Sequence, residues 1–179
     1  SRHDRANSIF GYGLSWGGRI MAVMALIVPN GDFEGGATGW TLTGPSGPIP
    51  AIVNDPARAF AGSWCVRHSG TGEGQDGSAS PTGTYPVVPS QSITLTAQIS
   101  PYAGTAGTSG GVALIWLDAG GAFISRSNGT NILRRGGTGY RPSSVTASAP
   151  ANAAFVLPQI SFNTSASSAT STIYADNAM

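Results

Sequence analysis

The most informative stretch of the chain is Asn30-Gly31-Asp32-Phe33-Glu34-Gly35-Gly36-Ala37-Thr38-Gly39-Trp40. It combines four glycines, which adopt backbone angles that other residues resist, with two large aromatic side chains. We expect a tight turn here, with Phe33 and Trp40 packed into a core on either side of it. The chain that follows should supply the sheets that receive these two rings.

Two carboxylates in this stretch are candidate cation ligands. Asp32 and Glu34 stand at positions i and i+2, so in an extended segment both would point to the same side, with Phe33 on the other. Carboxylate oxygens are typical calcium ligands. An ordinary acidic turn at the edge of a sheet fits the same spacing, and both interpretations stay open at this point.

Periodic apolar runs further along the chain predict many short strands. Apolar residues of 93–99 alternate with polar ones, which is the pattern of a half-buried strand, and 112–117 form a nearly continuous apolar strand. A turn at 118–121 then predicts a hairpin. Further short strands are expected at 40–43, 51–53, 154–161 and 171–175. Together with the absence of an amphipathic helical segment after residue 30, this pattern predicts an all-β fold.

Two polar segments are interpreted as irregular loops. Residues 68–86 are rich in Gly, Ser, Thr and acidic residues and have little to bury. Residues 126–139 hold three of the nine arginines of the chain. A loop as long as the first is either functional or mobile.

Composition narrows the classes of function. The chain has 179 residues, of which 40% are hydrophobic and only 9% are charged, and its net charge is +1. So small a charge gives no indication of a nucleic-acid partner. The apolar run 20–28 is about half as long as the roughly twenty residues that a membrane-spanning helix needs. Cys65 is the only cysteine, which excludes an intrachain disulfide.

Five segments, taken in order, resemble a known family. The first is 30–40, which follows the pattern Asn-x-x-Phe-Glu and then Gly-Trp, and the others are 61–67, 88–97, 114–121 and 174–176. The ordered set resembles the carbohydrate-binding-module-like, galactose-binding-like jelly rolls of phage minor tail and other virion proteins, which also occur beside glycoside hydrolases. The resemblance implies a jelly-roll β-sandwich over residues 29–179. Residues 1–28 would then form an N-terminal apolar extension for docking or assembly.

The resemblance also implies a function. It points to a non-catalytic structural or adhesion domain of a phage virion, such as a minor tail or capsid-accessory protein. Its partners would be other virion proteins or further copies of the chain, with a host cell-surface polysaccharide as ligand. The apolar lead at 6–28 favours such an assembly. Two alternatives stay open, namely a carbohydrate-binding module of a secreted glycoside hydrolase and a purely structural domain without a ligand.

Three tyrosines are candidate carbohydrate-binding residues. Tyr85, Tyr102 and Tyr140 lie next to proline or glycine in loop-like segments. An aromatic ring can pack against the apolar face of a sugar ring, which makes surface tyrosines suitable contacts. Trp40 and Trp116 are interpreted as core residues instead, because large aromatic side chains are usually buried.

The resemblance implies a structural calcium ion between the first and the last strand. Glu34 and Asp176 fall on the matching positions, with Asp32 as an additional ligand. Ligands that offer only oxygen suit Ca²⁺ rather than zinc. Asn177 stands where relatives often carry a second aspartate, which weakens the expected site.

No catalytic constellation stands out in the sequence. His3 and His68 share no motif, and no phosphate-binding loop is present. Glycoside hydrolysis needs two positioned carboxylates. Of the eight acidic residues, Asp32, Glu34 and Asp176 are better explained as cation ligands and Asp118 as a turn residue. Glu73 and Asp76 could meet in the long loop, but a mobile loop positions such groups poorly. We therefore expect that the chain is not an enzyme.

Overall fold

The computed structural model describes residues 24–26, 28–104, 107–134, 139–165 and 171–179. Over these ranges the chain forms thirteen strands and no helix. It follows that no helix of the described residues is long and apolar enough to cross a membrane. Two sheets pack face to face, so the predicted all-β jelly-roll sandwich is confirmed.

One sheet has six strands. They are β1 (Met24–Ala25), β3 (Ala51–Asn54), β4 (Trp64–Gly70), β7 (Ser92–Ala103), β11 (Arg141–Ser148) and β13 (Ser171–Asp176). The order is β1-β7-β13-β4-β3, and β11 pairs with the other edge of β7. All pairs are antiparallel except β1 with β7, which is parallel.

The other sheet has seven strands. They are β2 (Trp40–Thr43), β5 (Glu73–Pro81), β6 (Tyr85–Pro86), β8 (Ser109–Leu117), β9 (Phe123–Asn128), β10 (Ile132–Leu133) and β12 (Phe155–Ser165). The order is β10-β8-β12-β5-β2, with β9 beside β8 and β6 beside β12. Every pair in this sheet is antiparallel.

The core lies between the two sheets and follows the two-residue period of the strands. In β7, Leu95 and Ile99 are fully buried, and in β12 the same holds for Ile160 and Phe162. Trp116 on β8 joins them at 1% exposure, as expected for a core residue. Because side chains alternate along a strand, the polar residues between these positions face outward from the sandwich.

The turn at 30–40 is built as expected around two buried rings. Phe33 is fully buried and Trp40 nearly so, and their ring centroids are 4.7 Å apart. The Asn30 side chain holds the turn, because its Oδ1 accepts the Gly35 N–H at 2.7 Å and its Nδ2 donates to the Gly36 carbonyl at 2.9 Å. The extended segment that would have put Asp32 and Glu34 on one side is not formed, since these residues lie in consecutive turns and Phe33 has a φ of 59°.

Two predicted loops contain strands. Residues 68–86 include the end of β4 and all of β5, and residues 126–139 include the end of β9 and β10. In β5 the inward positions are the small residues Gly77 and Ala79, so the segment has no apolar period. Pairing with β2 and β12, rather than its own hydrophobicity, makes it a strand.

The predicted N-terminal extension divides into two parts. Residues 1–23 lie outside the described residues. Residues 24–25 form β1 on the edge of β7, and Leu26 continues this pairing by donating its N–H to the Thr94 carbonyl at 3.2 Å. Leu26 and Val28 are both buried in the core. The sandwich therefore begins a few residues before residue 29.

Two deletions should have different effects on stability. Removing residues 1–23 should leave a folded domain, whereas removing 1–28 also takes Leu26 and Val28 from the core. Burial of two aliphatic side chains contributes about 3–6 kcal/mol, so the longer deletion should lower the free energy of unfolding by roughly that amount. Urea unfolding of both proteins measures the difference. Equal stabilities would show that residues 24–28 contribute nothing to the core.

His68 is fully buried between the sheets and should make stability depend on pH. Its Nε2 donates to the Gln75 carbonyl at 3.0 Å, and its Nδ1 has no hydrogen-bond partner among the described residues. Burial lowers the pKa of His68 below its ordinary value of 6.5. The unfolded chain then binds more protons than the folded one below pH 6.5. The contribution of His68 to the free energy of unfolding is therefore fully present above pH 6.5 and is lost as the pH falls below it.

We expect the urea midpoint to be lower at pH 5.5 than at pH 7.5. The variant His68→Gln, which keeps an N–H donor but cannot titrate, is the matched control and should show a smaller pH difference. Asp176 changes stability with pH in the opposite direction. Burial raises the pKa of its carboxyl, so the folded protein loses stability as the pH rises above the ordinary pKa of an aspartate. An identical pH dependence in the two proteins would contradict the role of His68.

Candidate functional site

A polar groove lies on the outer face of the seven-stranded sheet. Its volume is about 800 Å³. Its polar side chains come from several strands and point away from the core. The polar ones include Thr43, Asp76, Ser78, Arg126, Asn128, Gln159, Ser161 and Asn163. The groove thus gathers hydrogen-bonding groups from one face of the sheet.

The register of the strands explains why these residues meet. On β12, Gln159, Ser161 and Asn163 alternate with the buried Ile160 and Phe162 and so share one face. Ser161 pairs with Ser78 of β5 on one side and with Gly111 of β8 on the other. Glycine has no side chain, so the floor of the groove is low at β8.

Hydrogen bonds join the outward side chains into a row across the sheet. The Gln159 amide Nε2 donates to the Ser78 hydroxyl at 3.3 Å, and the Ser161 hydroxyl donates to Gln159 Oε1 at 3.2 Å. At one end, the hydroxyls of Thr43 and Ser78 are 2.7 Å apart. At the other end, Arg126 Nη2 donates to the Ser161 hydroxyl at 2.6 Å. These bonds fix the directions in which the remaining donors and acceptors point.

The described lining of the groove offers one carboxylate and several neutral hydrogen-bonding groups to a ligand. Asp76 is the one carboxylate among the described residues that line the groove, and it accepts a hydrogen bond from the Asn163 side-chain amide. Hydrolysis of a glycoside needs a second carboxylate at a defined distance. Hydroxyl, amide and guanidinium groups can exchange hydrogen bonds with the hydroxyls of a polyol ligand.

The structure brings together two of the three predicted tyrosines, on the opposite sheet. Tyr140 donates its hydroxyl to the Arg58 carbonyl at 2.6 Å, and the Arg58 guanidinium carbon lies 3.9 Å from the ring centroid of Tyr102. Tyr102 also meets Tyr174 edge to face, with centroids 5.8 Å apart, and Phe60 meets Tyr140 at 5.5 Å. Both predicted tyrosines therefore belong to a cluster on the outer face of the six-stranded sheet.

These tyrosines were predicted in loops, but Tyr102 belongs to β7. The strand continues through Pro101 because the register shifts between Thr172 and Ile173 of β13, and an irregular position tolerates a residue without an N–H. Tyr85 lies in β6 of the other sheet, where it is partly buried against the core. It does not join the cluster of the other two.

The predicted cation ligands bind backbone N–H groups of one loop. Glu34 Oε1 accepts the N–H groups of Ser63 and Trp64 at 2.7 and 2.8 Å. Asp176 Oδ2 accepts those of Phe60 and Ala61 at 2.8 and 3.1 Å. Both carboxylates thus anchor the segment that connects β3 to β4.

Asp32 has a different role, since its Oδ1 accepts the N–H of Glu34 at 3.3 Å within the turn. Within the described ranges, no group of three or more His, Cys, Asp or Glu side chains is placed to hold a metal ion. A calcium ion at Glu34 and Asp176 would have to share these carboxylates with the N–H groups of the loop.

Calcium binding remains a prediction with a direct test. If an ion links Glu34 to Asp176, a chelator should lower the melting temperature of the protein, because removing it leaves two carboxylates close together. The variant Glu34→Gln keeps an acceptor for the N–H groups and should lose the response to the chelator. An unchanged melting temperature in the parent protein would show that the N–H groups alone hold this loop.

Beneath the same loop lies a group of buried titratable side chains. Burial, together with the charge of Asp176, raises the pKa of the Cys65 thiol to about 12. Burial also raises the pKa of the Tyr140 hydroxyl far above its ordinary value. Both groups are protonated at neutral pH. Cys65 is fully buried, so it is a packing residue rather than a nucleophile.

The groove residues did not emerge as a site from the sequence. The alternation of polar and apolar residues at 159–163 was a visible signal for an outward polar row. Arg126 lies next to this row because β8 pairs with both β9 and β12, which brings residue 126 opposite residue 115. Local sequence indicated the hairpin of β8 and β9, but it did not indicate the pairing of β8 with the distant β12.

No protein-family model and no curated protein matches the sequence. Solved structures with a similar fold include part of tailspike protein 4 of bacteriophage CBA120, with a TM-score of 0.59 and 15% identity over 85% of this chain. This chain spans 20% of that tailspike chain.

Two carbohydrate-binding modules are also similar in fold. The C-terminal family 22 module of Clostridium thermocellum Xyn10B has a TM-score of 0.59 at 17% identity, with 82% of this chain and 88% of that one covered. A family 61 module in complex with β-1,4-galactotriose has a TM-score of 0.55 at 15% identity, with 84% and 94% covered. The chain therefore has the carbohydrate-binding-module-like jelly-roll fold that residues 30–40 and the later segments predicted.

Proposed function

We propose that the chain is a non-catalytic carbohydrate-binding domain whose ligand lies in the polar groove of the seven-stranded sheet. The observation that carries this proposal is the hydrogen-bonded row of outward side chains from β2, β5, β12 and β9. Such a row presents donors and acceptors at fixed positions, which is what a ligand rich in hydroxyl groups requires. The fold likeness agrees with the proposal, but one fold hosts many functions, so the site carries the argument.

The setting that we propose is a phage virion. A minor tail or capsid-accessory protein would use this domain to adhere to host cell-surface polysaccharide, outside the cell. The likeness to part of a tailspike protein supports this setting. Residues 1–23 would provide the attachment to other virion proteins or to further copies of the chain.

A module of a secreted glycoside hydrolase is the second candidate. The likeness to a family 22 module that belongs to a xylanase favours it. Both candidates share the same binding step and differ in what the domain is attached to. Cofractionation of the chain with intact phage particles, or with a secreted enzyme, would distinguish them.

A glycan array tests the binding step. A single groove that offers hydrogen bonds on an open sheet should bind a glycan with a millimolar dissociation constant, which corresponds to a binding free energy of about 4 kcal/mol. The full chain should therefore be displayed as a multimer, so that several weak contacts add up. We expect the multimer to bind a subset of cell-surface glycans without releasing products. Absence of binding to every glycan would favour the purely structural alternative.

The same array tests the predicted tyrosine site. The variants Tyr85→Ala, Tyr102→Ala and Tyr140→Ala should bind as the parent does if the groove is the site. Tyr140 is packed beneath a loop, so its variant must first be shown to be folded. Loss of binding in the folded Tyr102→Ala variant, with intact binding in groove variants, would place the ligand on the six-stranded sheet instead.

A further inference from the structure

We infer that the groove selects a glycan that carries an anionic group, with Arg126 as the residue that binds it. This inference deepens the proposed function and rests on it. Arg126 is the one cationic side chain among the described residues that line the groove. Arg126 can bind an anionic ligand only if no carboxylate of the protein already pairs with it.

Arg126 reaches across a neighbouring strand. It lies on β9 opposite Ile115 of β8, and its guanidinium donates to Ser161 on β12, the strand beyond β8. Adjacent strands are about 4.8 Å apart, so only a long side chain can span this distance. The outward positions of β8 on the way are Gly111 and Ala113, which are too small to block it.

The contacts of Arg126 leave its charge available. Nε donates to the amide oxygen of Asn128 and Nη2 to the hydroxyl of Ser161, both at 2.6 Å. These acceptors are neutral, and they use two of the five N–H groups of a guanidinium. The two bonds hold the planar group in one orientation over the groove. A carboxylate or phosphate of a ligand could accept two of the remaining N–H groups side by side.

The groove has no exposed aromatic ring among its described lining, although such rings commonly stack against sugars. The one aromatic residue among its described lining is Phe162, which is 2% exposed and faces the core. No ring is therefore offered there for stacking against a neutral pyranose. Hydrogen bonds and charge have to supply the affinity, and a charged guanidinium supplies more per hydrogen bond than a neutral donor.

Asp76 limits how the charge of the ligand can be distributed. It lies on β5, three strands from β9, which corresponds to about 14 Å. Its carboxylate is held by the Asn163 amide and would repel a second anionic group. We therefore expect a ligand with its acidic group on the β9 side and neutral hydroxyls on the β5 side, as in a polysaccharide of mixed acidic and neutral sugars.

The test compares polysaccharides that differ only in charge. Glucuronoxylan and hyaluronan are each measured against the full chain, beside the same polymer after reduction of its carboxylates to alcohols. Dextran phosphate and plain dextran form the pair for phosphate. The protein variants are Arg126→Gln, Arg126→Lys and, as a matched control on the opposite sheet, Arg67→Gln, which changes an exposed arginine.

We expect at least one charged form to bind about tenfold more tightly than its neutral counterpart, with an affinity that falls as salt is added. Arg126→Gln should remove the difference, Arg126→Lys should keep part of it, and Arg67→Gln should keep it all. A preference for dextran phosphate alone would support the inference with phosphate as the anionic group.

Two outcomes would overturn the inference and are distinguishable from each other. If charged and neutral forms bind equally, and substitution of Gln159 and Asn163 abolishes both, the groove binds glycans but Arg126 does not select charge. If no polymer of either kind binds, and no glycan binds on the array, the proposed function fails together with the inference.

Discussion

Replacing Gln159 and Asn163 together by alanine should abolish detectable glycan binding by the displayed domain. Both side chains face the groove from β12 and offer amide groups to a ligand. Two lost hydrogen bonds correspond to about 2 kcal/mol, or roughly a thirtyfold loss of affinity. For a domain that binds in the millimolar range, such a loss takes the signal below detection. Array binding and isothermal titration with the selected glycan measure it.

The matched control is the double variant Thr94→Ala and Thr146→Ala. These two hydroxyls are 2.8 Å apart and exposed on the six-stranded sheet, so their loss also removes two outward polar groups. This variant should bind as the parent does. Both double variants should unfold within about 1 kcal/mol of the parent, since outward polar residues contribute little to stability. Equal binding by the two variants would contradict the groove as the site.

The variant Phe33→Ala should lower the free energy of unfolding by about 3–5 kcal/mol. Phe33 is fully buried and packs against Trp40 in the core, so its removal leaves a cavity beneath the turn at 30–40. Urea unfolding measures the change. For a domain of ordinary stability this loss is a large part of the total.

Phe123→Ala is the matched control, because it makes the same chemical change at a residue that is 65% exposed. Its effect should stay within about 0.5 kcal/mol. A loss of less than 1 kcal/mol in Phe33→Ala would mean that the turn at 30–40 does not organise the sandwich. A similar loss in both variants would mean that burial does not decide the effect.

The fold could be predicted because its signals are local. Alternation at 93–99 and the apolar run at 112–117 indicated two strands that are central to their sheets. The glycine-rich turn with Phe33 and Trp40 indicated where rings enter the core. Strand β5 was missed for the opposite reason, since Gly77 and Ala79 give it no apolar signal and its neighbours in the sheet make it a strand.

The groove could not be predicted in the same way. Gln159, Ser161 and Asn163 alternate with core residues, but outward polar residues are present on every strand that faces water. Arg126 comes beside them only because β8, its hairpin partner, also pairs with the distant β12. The three tyrosines were predicted as binding residues because proline or glycine next to them indicated surface loops. Tyr102 and Tyr140 do come together, yet Tyr140 turns its hydroxyl beneath a loop rather than toward solvent.

The measurement that tests the groove most directly is chemical-shift mapping of the isotope-labelled full chain during titration with the glycan selected on the array. We predict that the largest amide shifts fall on β5, β9 and β12, around Ser78, Arg126 and Ser161. Shifts confined to Tyr102 and to residues 55–63, with the groove unchanged, would contradict it.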